Sequence, residues 1–183
     1  MRRFSTMCPL VMENNNYILN LRKLPMGEHA FEYHIDNAFF TALDQNTIEK
    51  GTLNLHLQVK KSNVLTELHF DIHGTIYIPC DRCLCEMTQP IDTTYTCFVK
   101  FGNVTDTADN DDVIFISEDD GTLDVSWMIY ETIALAIPTV HTHPEGQCDA
   151  AMSAQLTRYM ITDDGKPNNN ESDPRWDALK HIK

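Results

Sequence analysis

At 183 residues, 42% hydrophobic and 22% charged, the chain has an ordinary globular make-up, which excludes collagenous, coiled-coil and wholly disordered classes and leaves room for one domain with a tail. Fourteen Lys and Arg stand against 27 Asp and Glu, a formal net charge of -13, the wrong sign for a protein that holds nucleic acid by bulk charge. No apolar run approaches the roughly 18 residues needed to span a bilayer, and Met7 to Met12 is too short for a signal-peptide core, so the expectation is a cytoplasmic protein with no membrane partner and with its six cysteines reduced.

Residues 1–11 show no period and are expected to form a disordered extension, with Met12 a natural alternative start. A single α+β domain over 12–161 follows. Leu24-Pro25-Met26-Gly27 reads as a turn, and Phe31, Tyr33 and Ile35 alternate with polar residues as a half-buried strand. From Gly51 the alternation is strict, Leu53, Leu55, Leu57 and Val59 on one face and Asn54, His56, Gln58 and Lys60 on the other, the period of a strand with one buried face. Lys60 to Asn63 reads as a hairpin connection. The next strand places Leu68, Phe70, Ile72, Ile76 and Ile78 on even numbers, so Cys80 ends on the core face. After a break at Gln89-Pro90, Tyr95, Cys97, Val99 and Phe101 alternate again. The economical arrangement is an antiparallel sheet, open or partly closed as a barrel.

Between Phe101 and Arg158 there is no Lys or Arg and eleven acids. The Asp-rich segment before Asp112 lacks the glycine of a calcium hand and reads as a solvated surface, and Glu118 to Gly121 reads as a turn. Asp124 is the expected N-cap of a helix over Val125 to Ile137, whose Ile129, Ile133 and Ile137 form the stripe of one main helix covering the sheet. From Thr162 the composition turns to Asp, Asn, Gly, Pro and Ser, a flexible linker over 162–172. It leads to a short amphipathic C-terminal helix over 173–183 with Trp176 and Leu179 one turn apart.

The chemistry-bearing residues gather around Cys80-Asp81-Arg82-Cys83, a two-residue spacing that turns both thiolates toward one cation. Half a tetrahedron remains to be filled, and His143 with Cys148, flanking a Pro- and Gly-containing excursion after the helix, complete it. Such a Cys3His set favours structural zinc, contributing on the order of 10 kcal/mol to folding. Chelation of about one zinc per chain is expected to bring partial unfolding. His141 is the weaker candidate. Three other readings stand beside zinc: buried thiols serving as small hydrophobes, natural for Cys80 and Cys97; a turn without metal; and a redox dithiol at Cys80 and Cys83, disfavoured because such motifs open a helix inside a βαβ unit. His56, His69 and His73 share outward parity and read as solvated strand positions. No phosphate loop or nucleophile elbow is present, so neither catalysis nor a small-molecule substrate is expected.

Ile78-Pro79-Cys80-Asp81-Arg82-Cys83-Leu84, then Ala134-Leu135-Ala136-Ile137-Pro138, then His143 and Cys148, together resemble the YceD family of small bacterial and plastid proteins. The closing Trp176-Asp177-Ala178-Leu179 is similar to a C-terminal tag common there. The resemblance covers roughly residues 12–183. It implies a non-enzymatic role in accumulation of the large-subunit ribosomal RNA, with Cys80, Cys83, His143 and Cys148 as the site and Arg82 the basic residue held between the first two. The implied partner is a pre-ribosomal large-subunit particle or an assembly protein. Any direct contact with rRNA needs a confined basic patch, for which Arg82, Lys60, Lys61 and Lys100 are the available members. Trp176 and Leu179 on a tethered helix suit either a partner's groove or the protein's own domain.

Overall fold

The computed structural model describes residues 10–11, 17–45, 47–102, 113–117, 119 and 121–159. The rest of the N-terminal extension, the acidic stretch 103–112, the expected linker 162–172 and the expected C-terminal helix 173–183 with Trp176 and Leu179 lie outside the described residues.

Strict alternation in the sequence becomes four long antiparallel strands. They are β3 (Gly27–Ile35), β4 (Lys50–Lys61), β5 (Thr66–Pro79) and β6 (Glu86–Phe101). Each pairs with the next in a meander, the connection that local alternation and short turns favour. The short β1 (Leu10–Val11) joins β3 in parallel at one edge, and β7 (Val113–Ile116) joins β6 in parallel at the other. The order β1-β3-β4-β5-β6-β7 is open, with no pairing between its two ends among the described residues, which corrects the alternative of a partly closed barrel.

Register carries the parity across the sheet. Phe31 faces Leu57, Leu57 faces Phe70 and Phe70 faces Tyr95, so one cross-strand row is apolar on the inner face. The neighbouring row, Glu32, His56, Asp71 and Thr94, is polar on the outer face. The parity of β5 survives Gly74, where the strands approach so closely that a Cβ would lie 2.4 Å from the Thr52 carbonyl oxygen and 2.5 Å from Leu53 Cα. With φ at +153°, only glycine fits there without displacement. The expected break at Gln89-Pro90 is absent, since Pro90 stands within β6 opposite Thr75. Among the described residues β6 there has β5 on one side only, because its pairing with β7 begins at Phe98. A proline without an N–H is tolerated where the outer edge needs no donor.

The expectation of one main helix over the sheet is also corrected. A helix α2 (Ser126–Leu135) buries Ile129, Tyr130, Thr132 and Ile133, but ten residues span only about 15 Å, too little for strands of up to 16 residues. The remainder of the inner face is covered by α1 (Asn37–Leu43), through Phe39 and Phe40, and by Leu19 and Leu21 beside the two-stranded pair β2 (Ile18–Asn20) and β8 (Thr122–Asp124). Asp36 caps α1, its carboxylate accepting from the N–H groups of Ala38 and Phe39 at 2.9 and 3.3 Å. Asp124 accepts the Ser126 N–H at 2.9 Å, yet the cap position itself is Val125, one residue later than the sequence suggests.

The chain divides into two compact units, one ending at Cys148 and the other beginning at Asp149. In the second, α3 (Ala150–Tyr159) starts from Asp149, whose carboxylate accepts the Met152 N–H at 2.8 Å. No helix among the described residues is long and apolar enough to cross a membrane.

Candidate metal centre

The even-numbered parity of β5 delivers Cys80 to the inner side at the strand's end, fully buried. The chain then reverses through Asp81, Arg82 and Cys83. The Leu84 N–H donates to the Cys80 carbonyl at 2.8 Å, and the Cys80 N–H to the Cys85 carbonyl at 2.9 Å, before β6 begins. Leu84 takes a left-handed conformation with φ of 60°, a cost that a branched residue bears only where its surroundings impose the turn. Its side chain is 70% exposed. The reversal aims the Arg82 N–H at Cys80 Sγ, 3.4 Å away.

The second half arrives from the loop after α2, which Pro138 keeps from continuing as helix. The His143 N–H also donates to Cys80 Sγ at 3.4 Å, and His143 Nδ1 lies 3.4 Å from Cys83 Sγ. Cys148 closes the group. One ligand atom each from Cys80, Cys83, His143 and Cys148 lies within 4.8 Å of all the others, the two cysteines of the knuckle buried and the other two half-buried. Zinc–sulfur bonds near 2.3 Å and zinc–nitrogen bonds near 2.0 Å place the ligand atoms of a tetrahedral Cys3His set about 3.5–3.8 Å apart. A slight contraction of the observed group therefore suffices, and the Cys3His donor set and burial fit a closed site for zinc.

Electrostatics prepare the same site. Burial alone would push the Cys80 thiol up, but the backbone N–H groups of His143, Cys83 and Arg82 outweigh it and bring the thiol down to about 6, as donors to a thiolate do. His143 is raised above its ordinary value, first by its hydrogen bond to Cys80 and then by that to Cys83. Cys148 is raised by burial and then by its bonds to Cys83 and Cys80. The surroundings thus favour the thiolate at Cys80 and the protonated forms of His143 and Cys148.

His141 does not join the ligand atoms. Its N–H donates to Asp81 Oδ2 at 2.8 Å, its carbonyl accepts the Asp81 N–H at 2.9 Å, and its Nε2 lies 3.5 Å from Asp81 Oδ1. The sequence offers His141 only as a weaker metal candidate and Asp81 only as one of the two residues between the cysteines. Cys97, by contrast, sits in the core opposite Leu68.

The four basic residues do not converge. Arg82 is exposed on the knuckle, whereas Lys60 faces Glu28 and Glu67 across the strands at the far end of the sheet. The twelve steps from Glu67 to Pro79 separate these ends by about 40 Å at the rise of a strand. Lys100 lies near the Lys60 end, on β6 beside Phe115. Lys61 turns its ammonium to the carbonyls of Leu21 and Leu24 at 2.7 and 2.6 Å, and to Arg22 at 3.5 Å, so it ties the segment after β2 to the sheet. His56 and His69 line a shallow outer concavity with Glu28, Glu32 and Glu67. His69 Nδ1 lies 2.8 Å from Thr96 Oγ1, and His73 stands between Asp71 and Asp92 at 2.7 and 3.0 Å.

The chain is 24% identical over 166 residues to the uncharacterized protein YlbN of Bacillus subtilis (strain 168), covering 90% of this chain and 94% of that protein. No solved structure matches. The family model of the large ribosomal RNA subunit accumulation protein YceD matches residues 68–183, a span that opens in β5 and takes in both halves of the Cys3His group. The chain belongs to the YceD family.

Proposed function

We propose that the protein is a non-enzymatic factor in accumulation of the large-subunit ribosomal RNA, and that it works as a zinc-stapled scaffold presented to a pre-ribosomal particle or an assembly protein. The observation that carries the scaffold is the convergence of Cys80, Cys83, His143 and Cys148, from segments some sixty residues apart, within 4.8 Å. The ribosomal role rests on family membership. A closed four-ligand site leaves no open coordination position for substrate, which favours a structural over a catalytic metal. With a net charge of -13 and its basic side chains dispersed, contact through protein is favoured over bulk attraction to RNA. Affinity capture of the full chain from its native host at low salt should recover large-subunit precursor particles or their proteins, and a capture devoid of both would refute the ribosomal role. Elemental analysis should find about one zinc per chain.

A redox dithiol at Cys80 and Cys83 is the rival, supported by the lowered thiol of Cys80. Reactive cysteines combine a low value with access, yet Cys80 is 0% exposed. Stoichiometric zinc with unreactive thiols would exclude this rival. A metal-free protein that cycles a disulfide between the two residues would replace the zinc reading with it.

A further inference from the structure

We infer that Asp81 is a positioning residue for the metal centre: it fastens the His141 segment to the Cys-x-x-Cys knuckle before a cation arrives, so that both halves of the ligand set already face each other. The inference rests on the zinc reading for its purpose, but the contact itself needs no metal.

The contact is reciprocal. Asp81 gives its N–H to the His141 carbonyl at 2.9 Å and takes the His141 N–H on Oδ2 at 2.8 Å, so one residue satisfies the donor and the acceptor of another sixty positions away. The His141 ring is held as well, with Nε2 3.5 Å from Asp81 Oδ1 and Nδ1 3.1 Å from the Pro138 carbonyl oxygen. Two residues on, the His143 N–H donates to Cys80 Sγ. The loop is thus pinned to the knuckle at alternate residues, once by Asp81 and once by the sulfur that will bind metal.

Joining two untethered segments through a cation would charge their ordering entropy to the binding step. A latch that orders them beforehand leaves the cation only the sulfur and imidazole bonds to make. Asp81 is not among the ligand atoms. Its role is that of an outer partner which orients ligands, and loss of such partners commonly weakens metal binding about 10- to 100-fold.

The test compares the full chain with Asp81→Ala and Asp81→Asn, each stripped of metal. It reads zinc affinity by competition with a chromophoric chelator, and His141 amide exchange by NMR without metal. Asp81→Ala should bind zinc about 10- to 100-fold more weakly. Asp81→Asn keeps an oxygen for the His141 N–H and should recover most of the loss. In the metal-free wild type the His141 amide should exchange slowly, and in Asp81→Ala rapidly. Equal zinc affinity in wild type and Asp81→Ala overturns the inference, as does an unprotected His141 amide in the metal-free wild type. If the wild type takes up no zinc, the zinc reading falls. The latch is then upheld by slow exchange that Asp81→Ala abolishes and overturned by fast exchange. Should Asp81→Ala not fold, the exchange rate of the metal-free wild type decides.

Discussion

The middle of the meander and its knuckle end are built on opposite terms. In the middle, Phe31, Leu57, Phe70 and Tyr95 share one cross-strand row, and Phe70 and Tyr95 lie ring to ring at 5.9 Å. Apolar area removed from water stabilises this region, and it needs nothing from outside the chain. At the knuckle, three sulfurs and an imidazole lie within 4.8 Å of one another, and the N–H groups of Arg82 and His143 donate to Cys80 Sγ at 3.4 Å. Such a group is costly to assemble unless protons or a cation occupy it. One region explains why the protein folds, and the other explains why it would bind a metal.

The most forceful way to break that comparison is to remove two donors. Cys80→Ser combined with Cys83→Ser should reduce zinc from about one per chain to none by elemental analysis, with partial unfolding at the knuckle while circular dichroism retains the sheet. Global collapse of the variant would mean that the two regions are one cooperative unit. Phe70→Ala should do the converse, lowering stability by about 3–5 kcal/mol in denaturant titration while leaving zinc stoichiometry intact in the folded protein. Gly74→Ala tests the close approach between β4 and β5. It should cost about 1–3 kcal/mol, and a variant as stable as the wild type would show that the strands can part at that point.

The smallest expected effect sharpens the electrostatic side. Metal takes deprotonated ligands, and the raised His143 and Cys148 must surrender protons to it, so zinc affinity should rise with pH by about tenfold per unit for each proton displaced. Cys80, brought down to about 6, gives up no further proton above that pH, so the dependence should be steeper below it. Chelator competition across neutral pH reads both slopes. An affinity that falls with pH would contradict the assignment of the protons.

Much of the meander was legible because a strand's signal is local. Leu53 to Val59 and Leu68 to Ile78 declare their inner faces by period alone, and the structure keeps both. Less was legible where the partner of a segment lies far away. The helix α1 has a readable cap in Asp36, but its seven residues offer less than two turns of pattern. Pro90 reads as a break until β6 is seen, among the described residues, to pair only with β5 there. Arg82, Lys60, Lys61 and Lys100 could be grouped by charge, yet no spacing in the chain reveals that the sheet's length parts Arg82 from the others, or that Lys61 is engaged with three carbonyls.

The candidate site divides in the same way. Residue type and spacing singled out the four residues that the structure brings together and that could hold a metal ion, because a Cys-x-x-Cys turn is a local object and sulfur and imidazole are the donors that would complete a tetrahedral set. Period likewise determined which face of each strand is buried, since every second side chain must meet the core or water. The tertiary structure alone decided that the two halves of the candidate ligand set meet, that Asp81 joins the loops alongside Cys80 and Cys83, and that several elements share the inner face. These are facts of register and closure, which depend on where strands of different lengths end in space and leave no mark on the neighbouring residues of the chain.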